Sequence, residues 1–192
     1  LTEDNYINIE CGLNLLSGIF NFVYDDIITK IEGLVTVFRT FYKTNSLSLK
    51  VRTSRTIAEM ITYCEKKETK LLSEFVFEIL LVTLKCFESG ESEDNLKYSI
   101  KALAEIINSE PSLLVKHFAD LYTLMFKIFL KKDYLDENIR ELGFEVIVSL
   151  VERKNKLFLN DTIKVKAFIE ELYKYALEME KEVTDDWATP VQ

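Results

Sequence analysis

Apolar residues recur along this chain at helical spacing, and the recurrences are themselves regular. The triplet Leu15, Leu16 and Ile19 returns as Ile57, Ala58 and Ile61, then as Leu103, Ala104 and Ile107, then as Val146, Ile147 and Leu150. The steps are 42, 46 and 43 residues. Spacing of i, i+1, i+4 holds each triplet on one face of a helix. A helical period of roughly 40–47 residues is that of HEAT and armadillo arrays. The pattern predicts an all-α HEAT-repeat solenoid, a right-handed superhelix of about four helix pairs. Such arrays work through long surfaces rather than one pocket, which favours binding over catalysis.

Eight helices are predicted, over 6–22, 25–42, 46–64, 70–88, 93–108, 111–131, 136–154 and 162–180. They group into repeats at 6–42, 46–88, 93–131 and 136–180 of a single array, with 181–192 an acidic tail or linker. The second helix of each pair carries its own apolar stripe. These stripes are Leu34, Val37, Phe38 and Phe41; Phe77, Leu80, Leu81 and Leu84; Phe118, Leu121, Leu124, Met125 and Ile128; and Phe168, Leu172, Tyr175 and Ala176. One hairpin cannot bury two apolar faces, whereas stacked hairpins share a core, so triplets and stripes alike are assigned to the interior. Boundary signals agree with this division. Ser89-Gly90 suits a helix end, Ser92 an N-cap, Pro111 a first turn, and Asp133 and Asp161 N-caps.

Composition narrows the function classes. The chain is 192 residues, 48% hydrophobic and 29% charged, with only 5 Gly and 2 Pro to punctuate the tight turns a β protein would need. Net charge is −8, from 24 basic against 32 acidic side chains, and no basic stripe stands out, so no direct nucleic-acid contact is expected. Every long apolar run is interrupted by Lys or Glu, so no membrane span is expected. Cys11, Cys64 and Cys86 have no paired spacing and read as reduced, buried thiols. The chain starts at Leu1 and ends after an acidic stretch, which reads as a piece of something larger. Its ends would then expose apolar repeat faces, and the piece would self-associate.

Catalytic chemistry has no foothold. His117 is the one histidine and has no Ser, Cys or Asp arranged around it as a triad, so it reads as structural. Asp185-Asp186 are adjacent carboxylates in an expected loop, with nothing to position them for acid–base work. The glycines are scattered singly, without a phosphate loop. No catalytic residue, metal ligand or cofactor site is assigned. Trp187 reads as an anchor onto the last repeat.

Several strings resemble the importin-β (karyopherin-β) nuclear transport receptors, and the importin five-like branch in particular. They are Lys116-His117-Phe118-Ala119-Asp120-Leu121, Gly143 through Glu152, Asp185-Asp186-Trp187-Ala188, Ser48-Leu49-Lys50-Val51-Arg52 and Arg55-Thr56-Ile57-Ala58. Their order and spacing extend the resemblance over most of the chain. The resemblance implies an N-terminal-half segment of a long HEAT superhelix, with first helices on a convex outside and second helices on a concave inside. It implies a non-enzymatic role in nuclear import, shuttling between cytoplasm and nucleus. Basic cargo would bind on the inside, and Phe-Gly repeats of nucleoporins between outer helices. Ran-GTP would bind mainly through repeats outside this segment. Carboxylates on the second helices are then the candidate cargo contacts: Glu74, Glu78, Asp120, Glu170, Glu171 and Glu178, with Asp25, Asp26, Glu32 and Glu180 in the same class. Glu170 could instead be occupied by Lys174, one turn on. The alternative function is a HEAT scaffold of a multiprotein complex with no transport role.

Overall fold

The computed structural model describes residues 3–159 and 162–187, and no strand occurs among them. The chain divides into two compact units, Leu1–Arg153 and Lys154–Gln192. The first unit opens with α1 (Glu3–Ile19), α2 (Tyr24–Ile28) and α3 (Ile31–Tyr42). It continues with α4 (Leu47–Tyr63), α5 (Lys66–Leu72) and α6 (Val76–Ser89), then α7 (Glu93–Ser109) and α8 (Phe118–Phe129), and closes with α9 (Glu137–Arg153).

Helices α1, α4, α7 and α9 are each 17 residues long and start 44, 46 and 44 residues apart. They form one layer, in which α4 packs between α1 and α7, and α7 between α4 and α9. The second layer consists of α3 and α6 against α4, α6 against α7, and α8 against α9. This is an all-α repeat solenoid. Side-chain caps set several of its boundaries. Ser46 accepts from the Leu49 amide, Ser92 from the Asn95 amide, and Asp136 from the Asn138 amide at 2.9 Å. Asp136, rather than the expected Asp133, therefore opens α9. Gly90 closes α6 at φ +62°, a conformation that glycine adopts without strain.

The second helices are broken where continuous ones were expected. Around Thr29 the chain interrupts between α2 and α3, and a 3-10 turn at Ser73–Phe75 separates α5 from α6. At both breaks a hydroxyl bonds back three residues, Thr29 Oγ1 to the Asp26 carbonyl at 3.0 Å and Ser73 Oγ to the Lys70 carbonyl at 2.7 Å. Such bonds compete with the helical ladder and tighten the turn. In the third pair, Pro111–His117 is 3-10 before α8 begins.

Alignment on the helix starts shows how the core is built. The eleventh residue of each first helix is Leu13, Ile57, Leu103 or Ile147, and all four are buried. The fourteenth is Leu16, Met60, Ile106 or Leu150, and the last three are buried. Leu15 and Ile19 do not belong to this register. They are exposed, Leu15 at 64%, because α1 has a first-layer neighbour on one side only. The repeated triplet is therefore core in three repeats and surface in the first. Its phase in α1 is two residues off the structural equivalence.

Of the three thiols, expected to be buried, Cys11 departs most. Cys86 is buried, which pushes its pKa up to about 11, and half-buried Cys64 is pushed up to about 12 by burial and then by Glu68. Cys11, expected to be buried, is exposed on the outer side of α1.

The second unit holds α10 (Asn155–Leu159) and α11 (Thr162–Trp187), with Phe158 edge-on to Phe168 at 5.6 Å. Helix α11 runs past the expected end at 180. Its Lys- and Glu-rich sequence favours helix, and no Gly or Pro intervenes before Pro190. Asp185 and Asp186 thus lie in a helix, not a loop. The side chains of Ala176, Glu178, Glu180 and Trp187, and the expected cap Asp161, fall outside the described residues.

Candidate partner-binding furrows

Among the furrows between helices of the first unit, two in the second layer and one in the first bear on binding. The first lies between α3 and α6, encloses about 250 Å3, and is lined by Arg39, Tyr42, Lys43, Glu74, Phe75 and Glu78. Arg39 donates to Glu74 through Nε at 2.8 Å and a terminal nitrogen at 3.0 Å, a bidentate fork joining the first repeat to the second. This partner holds the Arg39 guanidinium above its ordinary pKa. Glu74 is thus engaged by Arg39, while Glu78 stays exposed on the same furrow. Beneath them Tyr42 lies 2.8 Å from Ser54 Oγ, which itself donates to the Lys50 carbonyl, so the phenol is the donor. Burial keeps that phenol neutral by raising its pKa.

The second furrow lies between α6 and α8 and encloses about 310 Å3. Its walls are Phe77, Leu80, Leu81, Leu84 and Leu124, and its rim carries Asp120, Thr123 and Lys127. Here the expected core stripe of α6 is corrected. Leu80 is buried, Leu81 and Leu84 are half-buried, and Phe77 is exposed, because α6 and α8 do not close on each other. The core face of α6 is instead Val76, Ile79, Val82, Thr83 and Cys86. His117 stacks on Phe77 at 5.0 Å and buttresses one wall, a structural role. Asp120 is exposed at the rim.

The third furrow runs along the first layer, over α1, α4 and α7. It encloses about 440 Å3 and is lined by Asn14, Ser17, Gly18, Arg52, Arg55, Glu59 and Tyr98. An apolar depression between first helices was expected for Phe-Gly docking, but this furrow is polar.

In the second unit, Glu170 pairs with Lys166 at 3.7 Å and Glu171 with Lys174 at 2.5 Å. Lys174 thus takes Glu171, three residues away, rather than Glu170. Of the predicted carboxylates, the structure brings together Glu74 and Glu78 and sets Asp120 on the next furrow. Sequence reasoning named Phe77, Leu81 and Leu84 as core and missed the furrow they line. The available signal was their spacing from Glu74 and Glu78: Phe77 and Leu81 each follow one of these carboxylates by three residues, which sets them on its solvated flank rather than under the helix.

Residues 2–124 match the family model described as IPO5-like, TPR repeats, which covers well over half of the chain. The chain belongs to this family. Its members are importin-type transport receptors rather than enzymes. The first-helix spacing here is longer than the 34 residues of an ordinary TPR unit and falls in the HEAT range. Comparison with curated proteins and with solved structures gave no match. No helix among the described residues is long and apolar enough to cross a membrane. No group of three His, Cys, Asp or Glu side chains among them is placed to hold a metal ion.

Proposed function

We propose that this chain is a cargo-binding segment of an importin-type receptor engaged in Ran-dependent nuclear import, shuttling between cytoplasm and nucleus. The observation that carries the proposal is the family match, and the second layer gives it a surface. There an exposed carboxylate, Glu78, and an apolar furrow with Asp120 at its rim lie on either side of α6. A basic cargo segment with one apolar side chain fits this alternation. Lys or Arg would meet Glu78 and Asp120, and the apolar residue would enter between Phe77, Leu81 and Leu84. Glu74 is occupied by Arg39 and contributes little until that fork opens. Glu170 and Glu171 carry intrahelical pairs worth about 0.3–0.5 kcal/mol each, weak enough for a cargo cation to displace.

The same apolar furrow is a place where a nucleoporin Phe ring would fit. Ran-GTP contacts are assigned mainly to repeats outside this segment. A fluorescently labelled Lys/Arg-rich peptide carrying one Leu tests the reading by anisotropy titration. Saturable binding that weakens about tenfold in Glu78→Lys/Asp120→Lys is expected, since charge reversal turns attraction into repulsion. An isotherm unchanged by that double substitution, or no saturable binding, overturns the cargo assignment and favours a scaffold without a transport role.

A further inference from the structure

The third furrow has no part in the reading above, and its lining, with Arg52 and Arg55 against Glu59, carries a net positive charge that the other two lack. Arg52 and Arg55 lie one turn apart on α4, and both guanidiniums rest over the ring of Tyr98 on α7, at 4.5 and 5.1 Å from its centroid. Cation–π stacking fixes where the two guanidiniums point. Among the described residues neither guanidinium has a carboxylate within ion-pair distance, and Arg52 Nε is buried with no hydrogen-bond partner. A buried donor of this kind is costly when unmet, so its persistence points to something that meets it.

The surroundings favour an anion. Glu59 lines the furrow, and Glu105 stands beside it with Oε2 buried and unpartnered. The charges acting on Glu105 come from Glu59 and Arg55 on α4 and from Lys101 on its own helix. Burial and then Glu59 push its carboxyl up to about 7, so near neutrality it carries only part of a negative charge. Arg52 and Arg55 thus outnumber Glu59 in the lining, with Lys101 and a partly charged Glu105 beside it, a local excess of positive charge on a chain of net charge −8.

We propose that this furrow binds an acidic peptide segment of a partner protein, one carboxylate seated on the paired guanidiniums of Arg52 and Arg55. A carboxylate matches the planar fork of a guanidinium in a bidentate fashion. The cavity of about 440 Å3 accommodates a few side chains, not a long polyanion. Nucleic acid needs a track of basic groups, and an acidic chain repels its phosphates outside this one locality. Asn14 and Ser17 supply neutral polar groups along the α1 side. Gly18 leaves that side open, since a Cβ built there meets nothing within 4 Å.

The test is an anisotropy titration of the 192-residue chain with a labelled eight-residue Asp/Glu peptide at low salt, with a single-stranded oligonucleotide as competitor. Saturable binding is expected, weakened about tenfold or more in Arg52→Gln/Arg55→Gln, the usual scale for losing a charge-assisted fork. Gly18→Met should block the furrow without touching either arginine and, with Ala-like gains in helix propensity, leave the melting temperature equal or higher. Glu105→Gln should tighten binding roughly two- to fivefold at pH 8 by removing a nearby negative charge, a gain that a damaged fold would not produce. Equal affinity in the wild type, Arg52→Gln/Arg55→Gln and Gly18→Met overturns the proposal. So does displacement of the peptide by the oligonucleotide at lower concentration than by unlabelled peptide.

Discussion

Glu105 shows how one residue can carry a cost that only its surroundings explain. Its neighbours in the fold are another carboxylate and two cations, none of them a direct partner for Oε2. A carboxyl at about 7 in the native chain and at its ordinary 4.5 when unfolded binds its proton more tightly when folded. The sign follows from linkage. The penalty is absent below the unfolded value, grows as pH rises from there, and is complete above the folded value. Glu105→Gln should therefore raise stability at pH 8 by about 2 kcal/mol, after a discount for partial solvent screening, and by much less at pH 5. Urea denaturation at the two pH values checks this, and an equal gain at both would remove the buried charge as the cause. Nothing in the sequence around Glu105 marks it. Its i−4 neighbour is Lys101, which reads as an ordinary surface pair, and the fold alone brings Glu59 close.

At the scale of elements, the first helices were legible because their signal is local. Ser46 and Ser92 announce their own caps, and the stripes through Ile57, Leu103 and Ile147 follow the helical period. In α1 the same signal misled. A helix with a neighbour missing on one side keeps apolar residues there, so Leu15 and Ile19 imitate a core position that Leu13 fills. The breaks in the second helices were not legible, since Thr29 and Ser73 are as common within helices as at their interruptions. The seventh position of the first helices is a clearer marker. It holds Thr53, Ser99 and Gly143 in the last three repeats of the first unit, small residues that are all buried. At Gly143 a Cβ would stand 3.2 Å from Ile128 Cγ2 and 3.3 Å from the Met125 carbonyl oxygen, so α8 and α9 meet over it. Gly143→Val should destabilise the chain by about 2 kcal/mol, with the backbone oxygen unable to yield, while Gly143→Ala stays nearer neutral because helix propensity offsets the contact. Thermal melts of the pair of variants check this, and a neutral valine would show that α8 can shift.

Across the whole molecule, the mixed-charge and apolar furrows of the second layer are distinguished by charge from the basic furrow of the first. The candidate carboxylates were readable as a class, but not which of them are free. Arg39 lies 35 residues from Glu74, and only the stacking of repeats makes them partners. One side of α1 exposes Ile7, Cys11 and Leu15, and Phe22 stands exposed in the 3-10 turn just after it, with Ile7 at 66% and Phe22 at 82% exposed. An exposed apolar stripe of this kind favours association. Sedimentation equilibrium should show concentration-dependent association of the chain, reduced in Leu15→Glu/Phe22→Ser. A wild type that stays monomeric at high concentration would show that this stripe is not sticky on its own.

The four first helices share one length, and their eleventh residues share one role. That uniformity partitions the chain's tolerance for inserted or deleted residues. One residue added inside α4 or α7 rotates everything after it by about 100° and turns Ile57 or Leu103 away from its neighbours. The same residue added near Thr29, Ser73 or Pro111, where the helical ladder is already interrupted, alters a turn and leaves the next first helix in phase. Length variation among relatives should therefore collect in the second helices and their entries, with the seventeen-residue frame kept intact.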